Sequence, residues 1–60
     1  MKFSLEIELG NDAMSTPDDV AYLLGVVAEQ LDAVDAFGPG DEGRTRDVNG
    51  NTVGRWEVVD

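Results

Sequence analysis

The chain has 60 residues, a formal net charge of −9 and neither cysteine nor histidine, so disulfides and thiolate or imidazole metal sites are excluded. A chain of this length forms one domain, residues 1–60, and buries only about 60% of the surface that its unfolded form exposes, so a partner chain is the expected stabiliser. The sequence shows no signal-peptide pattern and no apolar run of the ~20 residues that cross a bilayer, and we expect a cytoplasmic protein without membrane contact.

The excess acid lies in the first two thirds of the chain. Residues 1–42 carry ten acids and one lysine, whereas residues 43–60 carry three acids and three arginines. Such a surface repels nucleic acid and anionic membranes and favours partners with basic surfaces. We therefore expect no direct binding to nucleic acid.

The first predicted element is a strand from Lys2 to Leu9. Apolar and polar side chains alternate there without a fault, which is the period of a half-buried strand. Glu6 and Glu8 fall on its polar face, and Gly10 begins a turn.

A helix is predicted next. Thr16 is a good N-cap, Pro17 suits the first helical position, and Asp19 completes a capping-box pattern. The helix is predicted to run to about Ala36, with Gly38 in the left-handed position that ends it.

This helix carries more apolar surface than one sheet covers. At roughly 100° per residue, one face is predicted to enter the core. A second stripe lies beside it, with Gln30 on its border, and consists of Tyr22, Val26, Ala33 and Phe37. Two explanations stay open: the segment from Phe37 to Gly43 folds back over the stripe, or a partner protein covers it.

The segment Asp47–Asn51 resembles a calcium loop in its alternating oxygen-bearing side chains and a β-hairpin in its Asn-Gly pair. The spacing does not fit an EF-hand, because the glycine stands at the fourth position and Val58 at the twelfth. We therefore predict a hairpin with a two-residue type I′ turn at Asn49–Gly50, which places Thr45 opposite Gly54. A three-residue loop with Gly50 as a bulge is the competing register. Val53 and the arginines are predicted to face outward, where the arginines would meet the glutamates of the first strand.

These elements predict an α+β fold, β-α-β-β, with a three-stranded antiparallel sheet packed on one helix. The last strand is the longest and most apolar, so it is placed in the centre, in the order first, last, middle. The predicted core is Phe3, Leu5, Ile7, Leu9, Val20, Leu23, Leu24, Val27, Leu31, Val34, Trp56 and Val58.

The order of elements and the pattern D-x-N-G-N-T-V-G-x-W resemble a group of small proteins of actinobacterial phages and prophages. The residues that carry the resemblance are Asp47, Asn49, Gly50, Asn51, Thr52, Val53, Gly54 and Trp56. It implies an accessory protein inside an infected bacterium and brings no catalytic residue with it.

Two classes of function remain, because no nucleophile is paired with a base and no cofactor or metal site is indicated. The first, which we favour, is a non-enzymatic protein-interaction module, working as a homodimer that buries Tyr22, Val26, Ala33 and Phe37. The second is an acidic decoy that mimics nucleic acid and occupies a basic groove of a host or phage protein. Its acidic ridge would consist of Asp18, Glu29, Asp32 and Asp35.

Overall fold

The computed structural model describes residues 1–60 and confirms the predicted architecture. Strand β1 (Lys2–Ile7), helix α1 (Pro17–Asp32), strand β2 (Glu42–Arg46) and strand β3 (Thr52–Val59) follow in that order. The sheet is antiparallel with the order β1-β3-β2. The long, apolar β3 lies in the centre, because the side chains of a central strand are shielded from solvent by a neighbouring strand on each side.

The start of α1 is fixed by its cap. The Thr16 hydroxyl accepts a hydrogen bond from Asp19 N, and the Asp19 carboxylate accepts from Thr16 N and Ser15 N. These bonds satisfy backbone donors that a helix start leaves without partners.

The helix ends earlier than predicted, at Asp32, and Ala33 is its C-cap. Ala33 N donates to Gln30 O and Val34 N to Leu31 O, so the last turn tightens and the chain leaves the helix axis. Gly38 does not take the left-handed conformation; Gly40 does, with φ of 94°. Phe37 is therefore not a helical residue.

The predicted type I′ turn is wrong, and the competing three-residue loop is the one observed. Gly50 alone has positive φ, 85°, while Gly50 N donates to Asp47 O and Asp47 N to Asn51 O. This is a type I turn closed by a glycine bulge. The loop shifts the pairing by one residue, and a bulge between Thr52 and Gly54 shifts it back. Thr45 therefore lies opposite Gly54, as predicted.

The bulge turns Val53 inward, so its predicted outward position is wrong. Val53 is only 6% exposed and packs with Leu23 and with Met14, a loop residue that is fully buried. A second cluster contains Val27, Trp56 and Val58. Leu5, Ile7, Val20, Leu31 and Val34 are half-buried against these clusters, as the predicted core requires.

Three residues of the predicted core are exposed instead. Phe3 is 39% exposed, Leu24 47% and Leu9 64%. Leu9 lies beyond the end of β1, outside the sheet. The other two share a physical cause, which is the position of the helix over the sheet.

Candidate interaction surface

The helix is anchored to one side of the sheet through Gln30. Its Oε1 accepts hydrogen bonds from Thr45 Oγ1 and Trp56 Nε1, each at 3.3 Å, and its Nε2 donates to Arg44 O at 3.0 Å. The Thr45 side chain is fully buried, and Trp56 is 5% exposed. A buried donor without a partner costs about 1–3 kcal/mol, so these three bonds hold the Gln30 flank of α1 against β2 and β3.

Leu24 lies on the opposite flank of the helix, roughly 120° from Gln30. Holding Gln30 at β2 rotates the helix, so the centre of its buried face moves to Leu23 and Val27, which are 0% and 4% exposed. Leu24 is thereby turned out of the core, on the side of α1 that faces β1. The prediction failed because it weighted only apolar side chains and left out the polar anchor.

The predicted four-residue stripe is not one continuous surface. Tyr22 is 54% exposed, Val26 is half-buried, and Ala33 is exposed at the helix end. Phe37 lies off the helix, where its ring centroid is 5.8 Å from that of Phe3 and 6.4 Å from that of Trp56. The segment after the helix thus packs on its own sheet through Phe37 and leaves Tyr22 uncovered.

An aromatic cluster of Phe3, Phe37 and Trp56 closes the end of the inner sheet face. Phe3 stacks on Trp56 with centroids 5.6 Å apart. Trp56 is buried, but Phe3 and Phe37 remain 39% and 43% exposed. With Leu24, they leave large apolar side chains open on the β1 side of the molecule.

The free edge of β1 carries backbone groups without partners in the chain. Glu8 N donates to Val53 O, so Glu8 forms a hydrogen-bonded pair with β3. Antiparallel pairs alternate between bonded and non-bonded, so the even-numbered residues of β1 bond to β3. The N–H and C=O groups of the odd-numbered residues, Phe3, Leu5 and Ile7, therefore point away from β3.

The free edge of β2 differs. Arg44 O points outward by the same alternation but accepts a hydrogen bond from Gln30 Nε2. The strand has only five residues, and two of them are arginines. Short strands and charged side chains are common protections of an exposed edge.

Charged side chains cover the outer face of the sheet. Arg55 Nη2 lies 3.3 Å from Glu57 Oε2 and 4.0 Å from Glu42 Oε2. Arg55 therefore pairs with these two carboxylates, although Glu6 is its partner across the strands; the predicted ion pairs with Glu6 and Glu8 do not form. Exposed pairs of this kind contribute little to stability. Two shallow depressions, of about 200 and 290 Å³, lie on this face and are lined mainly by polar residues.

The four residues of the predicted acidic ridge are all exposed. Asp18, Glu29 and Asp32 lie on the solvent side of α1, whereas Asp35 lies beyond its end. The acidic loop that follows is held in place: the Asp41 carboxylate accepts from Gly38 N at 2.9 Å, and Glu42 opens β2. The carboxylates are thus spread over helix, loop and strand and do not form one ordered row.

The Asp47 carboxylate holds the hairpin loop together. It accepts hydrogen bonds from Asn51 N and Asn49 N, both at 2.9 Å, and from Asn51 Nδ2 at 3.3 Å. The Asn51 N–H lowers the pKa of Asp47, as do the other two donors, against an opposing effect of burial. The Ser15 and Thr16 N–H groups likewise lower the pKa of Asp19 at the helix cap. Both carboxylates act here as acceptors for the backbone, and nowhere does the structure gather three metal-ligating side chains.

No protein-family model, curated protein or solved structure matches the chain. Its single helix is too short and too polar to cross a membrane.

Proposed function

We propose that the protein is a small protein-interaction module that acts without catalysis and works as a homodimer. The observation that carries this proposal is the exposure of large apolar side chains on one side of a very small domain. Phe3, Leu24 and Phe37 are each 39–47% exposed there. Burying such surface contributes roughly 25 cal/mol per Å², which a chain without disulfides can use for stability.

Tyr22 and Val26 offer a second, smaller surface on the other side of the helix. A homodimer formed on the β1 side leaves it free for a different protein. The resemblance of the hairpin to phage and prophage proteins makes an infected bacterium the proposed setting, and a host or phage protein the proposed target.

Sedimentation equilibrium between about 10 μM and about 1 mM tests self-association. We expect the apparent mass to rise with concentration from that of the 6.5 kDa chain toward twice that value. Leu24→Asn should lower the apparent mass because it removes an exposed apolar group from the β1 side. Tyr22→Asn, on the opposite side of the helix, is the matched control and should leave the dimer intact. A wild-type chain that stays monomeric at about 1 mM would overturn the proposal.

A further inference from the structure

We infer that two copies of the chain join through their β1 edges, antiparallel and centred on Leu5, to form one continuous six-stranded sheet. This inference rests on the proposed function and specifies its surface. In this pairing Leu5 lies opposite Leu5 of the second copy, Phe3 opposite Ile7, Ser4 opposite Glu6, and Lys2 opposite Glu8.

The backbone restricts which pairings are possible. Phe3, Leu5 and Ile7 direct their N–H and C=O groups away from β3, so a second strand can bond only if its own odd-numbered residues stand opposite them. Centring on Leu5 meets this condition and matches all three free residues with one another. Every free backbone group of β1 then gains a partner. The β2 edge is less suited to such pairing, because its outward Arg44 O already accepts a hydrogen bond from Gln30.

The charges of β1 and of the adjoining Glu8 favour this register over one centred on Glu6. Lys2 and Glu8 lie six residues apart, roughly 20 Å along a strand, so they cannot pair within one chain. Centring on Leu5 places each opposite the other in the second copy, twice per dimer. Moving the centre to Glu6 would instead place two Glu6 side chains opposite each other, and like charges directly opposite are unfavourable.

The apolar inner face of β1 would also be buried by this arrangement. Antiparallel strands of one sheet keep their inner faces on the same side, so both helices lie on one side of the six-stranded sheet. The exposed Phe3 and the half-buried Leu5 and Ile7 then meet their counterparts at the seam. Leu24, on the flank of α1 that faces β1, lies along the same seam.

Charge reversal tests the register. Lys2→Glu and Glu8→Lys should each raise the dimer Kd by roughly two- to thirty-fold at low salt, because each turns two attractions into two repulsions. An equimolar mixture of the two variants should form a heterodimer as tight as the wild-type dimer. In that heterodimer both glutamates of one chain face both lysines of the other, so each contact is again an attraction. The double variant should recover for the same reason.

Two controls separate this effect from net charge. Glu8→Lys reduces the net negative charge of −9, so general repulsion alone would tighten the dimer, whereas the proposed register weakens it. Glu29→Lys makes the same change on the exposed side of α1 and should not weaken association. Urea denaturation of each variant checks that it is folded.

Hydrogen exchange gives an independent readout. The amides of Phe3, Leu5 and Ile7 should gain more protection as concentration rises than the amide of Tyr22, inside α1, whose exchange reports only the general stabilisation of the fold by association. A dimer with unprotected β1 amides, or one that charge reversal does not weaken, overturns the β1 seam but leaves self-association standing. A chain that remains monomeric overturns both.

Discussion

The two edges of the sheet are protected to very different degrees. At β2, the Gln30 side chain caps an outward carbonyl, Gly43 lies beneath the Trp56 ring, and Thr45 is fully buried under the helix. At β1, three residues direct their backbone groups to solvent, and Phe3 stays 39% exposed. One helix cannot cover three strands evenly. The position of a single polar anchor decides which edge is covered.

The largest expected effect comes from the two neighbouring leucines of α1. Leu23→Ala should lower the free energy of unfolding by about 2–5 kcal/mol, because Leu23 is fully buried and its removal leaves a cavity. Leu24→Ala should cost under about 1 kcal/mol in the monomer, because Leu24 is 47% exposed. Urea denaturation at a concentration too low for association measures both. Equal losses would show that the helix is not rotated toward β2.

The packing on the β2 side of the sheet can be disrupted directly at Gly43. A Cβ there would lie 2.7 Å from Cζ2 of Trp56 and closer still to Nε1. Gly43→Ala should therefore cost about 1–3 kcal/mol, since the buried indole must move. Gly25→Ala is the matched control: nothing lies within 4 Å of its added Cβ, and alanine in a helix should stabilise by about 0.5–1 kcal/mol. A neutral Gly43→Ala would contradict the close contact.

The anchor itself can be removed with little change in shape. Gln30→Met should lower the free energy of unfolding by about 1–3 kcal/mol, because Thr45 Oγ1 and Trp56 Nε1 lose their acceptor. Arg44 O also loses its donor, so the β2 edge should become more open. Hydrogen exchange of the β2 amides reports that opening, and Glu29→Gln, its exposed neighbour, serves as the control. Unchanged stability would mean that the anchor does not hold the helix.

A smaller effect is expected at the turn that leads from β2 to β3. The backbone bonds that lower the pKa of Asp47 stabilise the fold above the ordinary aspartate value of 3.8. This contribution is lost as the pH falls through the lowered pKa of the folded chain. Asp47→Asn should therefore reduce the difference in urea midpoint between neutral and acidic pH. Asp35→Asn, at an exposed site, controls for the change in net charge. An equal effect of both variants would show that the hydrogen bonds to Asp47 are not the cause of the pH dependence.

The sequence was sufficient for the features that local chemistry determines. The Thr16 cap and the alternation of β1 depend only on residues that are close together in the sequence. The order of strands followed because β3 is the longest and most apolar strand. The exposure of Leu24 could not be read in this way, because it depends on hydrogen bonds between Gln30 and residues 14, 15 and 26 positions away. Tertiary contacts override a helical-wheel assignment when a polar side chain is anchored.

Two further misses have local causes. Met14 lies in the loop before the Thr16 cap, and no periodic pattern in the sequence marked it as buried. Strict alternation along β3 would place Val53 on the outer face, and only the bulge turns its side chain inward. Of the candidate surface, the sequence identified the excess of apolar groups, but it counted Phe37 with the helical stripe, whereas Phe37 lies beyond the end of α1.

Trp56 gives the molecule a built-in optical probe. It is the only tryptophan, and its ring stacks on Phe3 of β1, lies over Gly43 of β2 and donates a hydrogen bond to Gln30 of α1. Its emission therefore senses every element of the fold without any added dye. Unfolding should shift that emission to longer wavelength as the indole meets water, while a partner that settles on Phe3 should alter it with the fold intact. One fluorophore can thus follow folding and docking as two separate signals.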